Sequence, residues 1–166
     1  MISLGLDQAL KTTGYSIYDN NKLISWGTIN IKATLPIEQR LGTLWTHLNL
    51  LYKEYNFEYI FFEDTQKQTN AETYKKLCYV QAAVLLWCYY NSIKYTILSP
   101  SHWRSILKEK YKINFGRKRE EQKQAALKWV SEKYECGENP FKEDEADAIC
   151  IGAAGIIEYN KNKSAF

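Results

Sequence analysis

Four acids stand where folding could gather them. Asp7 closes the apolar run Ile2 to Leu6, Glu63 closes Tyr59 to Phe62, and Asp144 and Asp147 open a C-terminal stretch rich in Ala and Gly. Asp144 and Asp147 are three positions apart, which puts both on one face of a helix. The two apolar runs read as strands, and strand ends are where sites assemble in sheets covered by helices. Four ionised carboxylates held within a few ångströms repel one another unless cations sit between them. Hard oxygen ligands with no His or Cys among them call for Mg²⁺ or Mn²⁺ rather than zinc. Paired ions about 3.5–4 Å apart suit in-line cleavage of a phosphodiester, one activating water and the other stabilising the leaving oxygen.

Each acid also has a plainer explanation. An acid just past a strand is commonly a solvated loop residue, and acids in the first turn of a helix offset its dipole. Asp64, Glu143 and Glu145 are read that way. The chemistry is favoured because all three elements occur in one chain of 166 residues, the length of a single domain. The net charge of +3 hides a second feature, because Ser99 to Lys133 alone carries ten Lys/Arg against four acids, a surplus of +6. A concentrated positive stretch beside acidic clusters suits a polyanion such as nucleic acid. Arg117, Lys118, Arg119 and Lys123 are the residues expected to hold phosphates. The combination reads as a metal-dependent nuclease.

Other chemistries are disfavoured. No G-x-S-x-G, GxGxxG or P-loop occurs. His47 and His102 read as structural, and Cys78, Cys88, Cys136 and Cys150, with no C-x-x-C pair, read as reduced core residues. The longest apolar run, Ala82 to Tyr90, is far short of the ~20 residues of a membrane span. A soluble cytoplasmic protein without a membrane partner is expected.

The elements that must position the acids follow from patterning. Alternating β-branched and aromatic residues around Asp19-Asn20-Asn21 predict a hairpin of strands after Ile2 to Leu6. Apolar residues at 3–4 spacing after Pro36 predict a helix, Tyr59 to Phe62 a buried strand, Asn70 to Tyr90 a long helix, and Lys94 to Leu98 another strand. Helices are expected over Ser101 to Lys110, Arg119 to Lys133 and Glu143 to Tyr159, with a turn-rich connection from Cys136 to Phe141. Together they predict an α/β fold, a mixed sheet covered by helices, as one domain over residues 1–159 with a short polar tail at 160–166. The helix from Asn70 is apolar on all sides from Leu77 onward, more than a helix on one sheet face needs. Either the terminal helices or a second subunit must cover the surplus, and Val84 is taken as an outward position.

Gly5-Leu-Asp7 with Thr13-Gly14, Phe61-Phe-Glu63, and Asp144-Glu-Ala-Asp147-Ala-Ile, in this order over nearly the whole chain, resemble the RuvC family of Holliday-junction resolvases. The resemblance implies a ribonuclease H-like mixed β-sheet of about five strands, the first three antiparallel, flanked by α-helices. It implies a homodimer that nicks two strands of a four-way DNA junction symmetrically. It implies two Mg²⁺ or Mn²⁺ ions per subunit held by Asp7, Glu63, Asp144 and Asp147, with Asp7 bridging both, and phosphate contacts from Lys108 with Lys118 or Arg119. Two departures stand out: Gln8-Ala9 where the family has Pro-Gly, a change that resembles divergent phage-type members, and Gln66 where bacterial members often carry an aromatic residue. Alternative readings are a ribonuclease H-like nuclease acting on RNA–DNA hybrids and a catalytically silent module that binds branched DNA. An actin-like phosphotransferase would need a second domain.

Overall fold

Alternation of small or apolar residues with larger ones makes the first 30 residues a meander, which two later strands extend and helices cover on both faces. The structure, a computed structural model, describes residues 1–135 and 139–164. Strands β1 (Ile2–Asp7), β2 (Thr12–Asp19) and β3 (Lys22–Asn30) are followed by α1 (Ile37–Tyr55), β4 (Tyr59–Glu63), α2 (Ala71–Tyr90) and β5 (Lys94–Leu98), then α3 (Pro100–Tyr111), α4 (Arg119–Lys133) and α5 (Glu143–Lys163). The sheet order is β3-β2-β1-β4-β5, with β1 antiparallel to β2, β2 to β3, and β1, β4 and β5 mutually parallel. The β2–β3 turn places Asn20 at φ 52, a left-handed conformation that Asn tolerates.

Side chains alternate across a strand, so the sheet has two cores. Leu4, Leu6, Ile60 and Phe62 face α1 and α2, where they pack with Leu44, Leu48, Val84 and Trp87. Phe61 and Tyr18 face the other way, into a core with Trp103, Leu107, Val130 and Ile149 from α3, α4 and α5. Each fully buried large side chain contributes about 1.5–3 kcal/mol. Two helices begin on side-chain caps: the Asn70 side chain accepts the Thr73 N–H at 2.9 Å, and Ser99 accepts that of His102 at 3.3 Å with Pro100 just inside the helix.

Three expectations need correction or limits. The polar tail expected from residue 160 is helical through Lys163, since Asn160 accepts the backbone N–H and hydroxyl of Ser164, and Lys161 and Lys163 favour the negative end of the helix dipole. Val84 does not face outward but is buried against the sheet; a helix apolar on every side gives no periodic signal to tell its inner face. From Leu77 onward the large outward apolar residues of α2 are Tyr79, Leu86, Tyr89 and Tyr90, and the terminal helices lie on the opposite face of the sheet and leave them exposed. Cys136 falls outside the described residues, while Cys78, Cys88 and Cys150 are free thiols. No helix among the described residues is long and apolar enough to cross a membrane.

Candidate active site

Register sets the first two acids side by side. Leu6 of β1 pairs with Phe62 of β4, so Asp7 and Glu63 end neighbouring parallel strands. By alternation both belong to the face that Gly5 and Phe61 share, the face α5 covers. Asp7 also pairs with Gly14 across the hairpin, and Gly14 lies against the backbone of Asp144, whose carbonyl a Cβ there would overlap. Farther along, a Cβ on Gly5 would come within 2.6 Å of the Ala148 carbonyl and 2.7 Å of the Gly152 Cα. Ser16 Oγ donates to the Ala148 carbonyl at 2.8 Å and the Tyr18 hydroxyl to that of Ile149 at 2.9 Å. Helix and sheet thus meet backbone to backbone, and the first turn of α5 brings Asp144 and Asp147 over the strand ends.

The four carboxyl groups feel one another. Burial, and then the charges of Asp147, Glu63 and Asp144, push Asp7 well above the usual carboxylate range, with Lys123 opposing. Burial and the Glu63 charge push Asp147 up to about 6, against Arg104 and Lys123. Burial raises Glu63 and Asp144 as well, opposed at Glu63 first by a hydrogen bond from Trp103 and at Asp144 by Lys123. Among the described residues no three His, Cys, Asp or Glu groups already close on one point as a metal cage. The donors nonetheless fit a hard divalent cation: all are carboxylates, they share one pocket of field, and a positive charge among them relieves the repulsion that burial magnifies.

The acids read as bystanders are occupied elsewhere. Asp64 accepts from Gln81 of α2 at 3.2 Å, Glu145 accepts the Lys142 backbone N–H at 2.9 Å, and Glu143 is ion-paired with Lys123. His102 meets Glu158 at 3.3 Å, a structural contact between α3 and α5.

Of the basic residues, Lys108 is exposed and lines a groove of about 500 Å³ with Arg104, Gln66, Ser105, Asn114 and Gln122. Arg117, Lys118 and Arg119 are exposed at the start of α4, where Glu121 accepts the backbone N–H groups of Arg117 and Lys118 at 2.9 and 3.0 Å. Arg119 lies near enough to lower Glu63. Lys123 is half-buried and, through its pairing with Glu143, coupled to the carboxylates.

Three residues were missed by sequence reasoning. Trp103 donates its indole N–H to Glu63 Oε2 at 2.6 Å. The Arg104 guanidinium lies 4.3 Å from the Trp103 ring centroid and lowers both Glu63 and Asp147. Gln8 donates its side-chain amide to the Glu63 carbonyl. Arg104 could have been picked from the basic segment and Gln8 from its place after Asp7, whereas a Trp in a helix carries no signal of what its N–H will meet.

Comparison with known proteins bears on the family and the fold. A family model for the crossover junction endodeoxyribonuclease RuvC matches residues 3–154. The RuvC of Finegoldia magna is 24% identical over 158 residues, covering 93% of this chain and 92% of that protein. The RuvC of Brachyspira hyodysenteriae is 25% identical over 158 residues, with the same coverage. Among solved structures, Thermus thermophilus RuvC in complex with Holliday junction substrate superposes with a TM-score of 0.76 at 15% identity, covering 97% of this chain and 96% of that one. Fowlpox virus resolvase with its Holliday junction DNA gives 0.62 at 17% identity, covering 96% of this chain and 99% of that one. These likenesses at low identity speak to the fold, a mixed five-stranded sheet flanked by helices.

Proposed function

Because the chain belongs to the RuvC family of crossover junction endodeoxyribonucleases, we propose that it resolves four-way DNA junctions by paired, symmetric nicks, with Asp7, Glu63, Asp144 and Asp147 as the catalytic, metal-holding set. One observation carries the reading: Asp7 and Glu63 end neighbouring parallel strands, and Gly14, the register partner of Asp7, lies against the backbone of Asp144, so three elements bring the acids to one place. Two Mg²⁺ or Mn²⁺ ions per subunit, when bound, supply the Lewis acidity that activates water and stabilises the leaving oxygen. The protein supplies the rest. Asp7 and Glu63 offer oxygens from the rigid strand ends, and Asp144 and Asp147 offer theirs from the first turn of α5. Arg104 and Lys108 hold a phosphate in the groove beside them, and Arg117, Lys118, Arg119 and Lys123 hold the flanking backbone.

The family's junction substrate has two scissile strands related by a two-fold axis, which a symmetric dimer matches. The exposed stripe of Tyr79, Leu86, Tyr89 and Tyr90 on α2 supports an isologous interface there, on the face of the sheet opposite the acids. Its bacterial relatives support action in the cytoplasm of a bacterium or a phage-infected cell. The test is nicking of junction, fork, duplex and RNA–DNA hybrid substrates with Mg²⁺ or Mn²⁺. Preferential, paired cutting of the four-way junction is expected. Cutting confined to the hybrid, or tight junction binding without cutting under either ion, overturns the reading in favour of the two alternatives.

A further inference from the structure

The indole of Trp103 is fully buried, yet its polar edge opens on the acids rather than on the core. Its placement follows from short connections. Glu63 pairs with Leu98 across β4 and β5, Ser99 caps α3, and Trp103 lies one turn into that helix, so its N–H returns to the strand end from which the helix departed. There it meets Glu63 Oε2 at 2.6 Å, a charge-assisted contact. The ring is fixed on its other sides: Phe115 packs edge-on at 5.5 Å between centroids, and Arg104 lies 4.3 Å from the ring centroid. The Glu63 main chain is held separately by the Gln8 amide.

We propose that Trp103 is a positioning residue for the metal-facing carboxylate of Glu63, an inference that rests on the metal-dependent reading above. It engages one carboxylate oxygen, fixes the side chain's rotation and leaves the second oxygen to face a cation. Outer partners of this kind orient ligands at metal sites, and their loss weakens metal binding about 10–100-fold. The same ring carries Arg104, so one buried side chain sets both an acid of the site and a cation of the adjoining groove.

Trp103→Phe keeps an aromatic ring beside Arg104 and Phe115 and removes the N–H donor together with part of the buried indole's bulk. Calorimetric titration of the DNA-free protein with Mn²⁺ is the readout, with nicking measured across Mn²⁺ concentrations beside it. The expected result is an Mn²⁺ Kd raised by about 10–100-fold, with junction affinity unchanged and nicking restored towards wild type at saturating Mn²⁺. A cooperatively melting variant with the wild-type Mn²⁺ affinity overturns the role of Trp103 while leaving the metal site standing. A wild-type protein that nicks junctions without binding Mn²⁺ overturns the metal site, and this inference with it. Should the Phe variant not fold, benzothienylalanine at position 103, which matches the indole in shape but has sulfur in place of N–H, decides by the same two measurements.

Discussion

Replacing Asp147 by Asn should make the metal-free protein more stable and inactive at once. In the folded chain the carboxyl group is pushed from an ordinary 3.8 to about 6, by burial and by Glu63. An acid raised in this way favours folding when protonated, so its contribution is fully present below about 3.8, fades as the pH rises through about 6, and is a constant cost above that. At 1.36 kcal/mol per unit the cost at pH 8 is at most about 3 kcal/mol. Some exposure of the side chain and the burial of a new amide reduce the gain from Asn to roughly 1.5–3 kcal/mol. For a chain of this size that raises the melting temperature by roughly 3–10 °C. Thermal unfolding in EDTA at pH 8 and pH 4 measures it, and the advantage of the variant should shrink severalfold at the lower pH. With Mn²⁺ added at pH 8 the order should narrow or reverse, because an ion bound only by the native state stabilises it by mass action and the variant binds it less. A variant no more stable than wild type at pH 8, or equally favoured at both pH values, would refute the claim that folding holds the Asp147 carboxylate against burial and the charge of Glu63.

Asp7→Asn should abolish nicking yet leave junction binding measurable by gel shift, since it removes a ligand and not the basic surface; near-normal nicking sinks the assignment. Replacing Arg117 and Lys118 by Ala should flatten log K against log[salt] by roughly 1–2 units, at about 0.9 per phosphate contact; an unchanged slope means these side chains are only solvated. Leu86→Glu should shift sedimentation equilibrium at micromolar concentration from twice the chain mass of 19.4 kDa towards monomer; a wild-type monomer that still nicks in symmetric pairs removes the case for the α2 interface. Gly14→Ala should destabilise by about 1–3 kcal/mol or more, the usual range for overpacking, because the methyl meets the Asp144 backbone; an unchanged melting temperature would show that α5 can yield there.

The strand ends were legible because hydrophobic alternation and the acids that terminate it are local in the chain. Asp144 and Asp147 could be paired from helical spacing alone, and the Gly and Ala that follow them announced a close approach to a sheet. The inner face of α2 was not legible: with apolar residues all round, Val84 and Leu86 look alike until tertiary packing buries one and exposes the other. Trp103 fails for a different reason. Its ring obeys the apolar pattern that sequence can read, while its N–H answers to a carboxylate 40 positions earlier in the chain. Lys123 shows the same limit, since its charge counts with the basic segment but is shared with Glu143. The end of α5 was placed early because Asn160 to Lys163 are polar, and polarity marks a solvated surface as readily as an unfolded tail.

The close seating of α5 on the hairpin works as a gauge block. Where Gly14 lies against Asp144, and Gly5 against Ala148 and Gly152, the stops are main-chain atoms, and main-chain atoms do not change when a sequence drifts. Most side chains around the acids can therefore be exchanged for others of suitable bulk without altering the separation between Asp7 and the α5 pair. What cannot be exchanged is the absence of a side chain at those contacts. An engineer wishing to widen the site for a larger ion, or to narrow it for a smaller one, would gain little from the surrounding packing and would have to recut the glycines themselves.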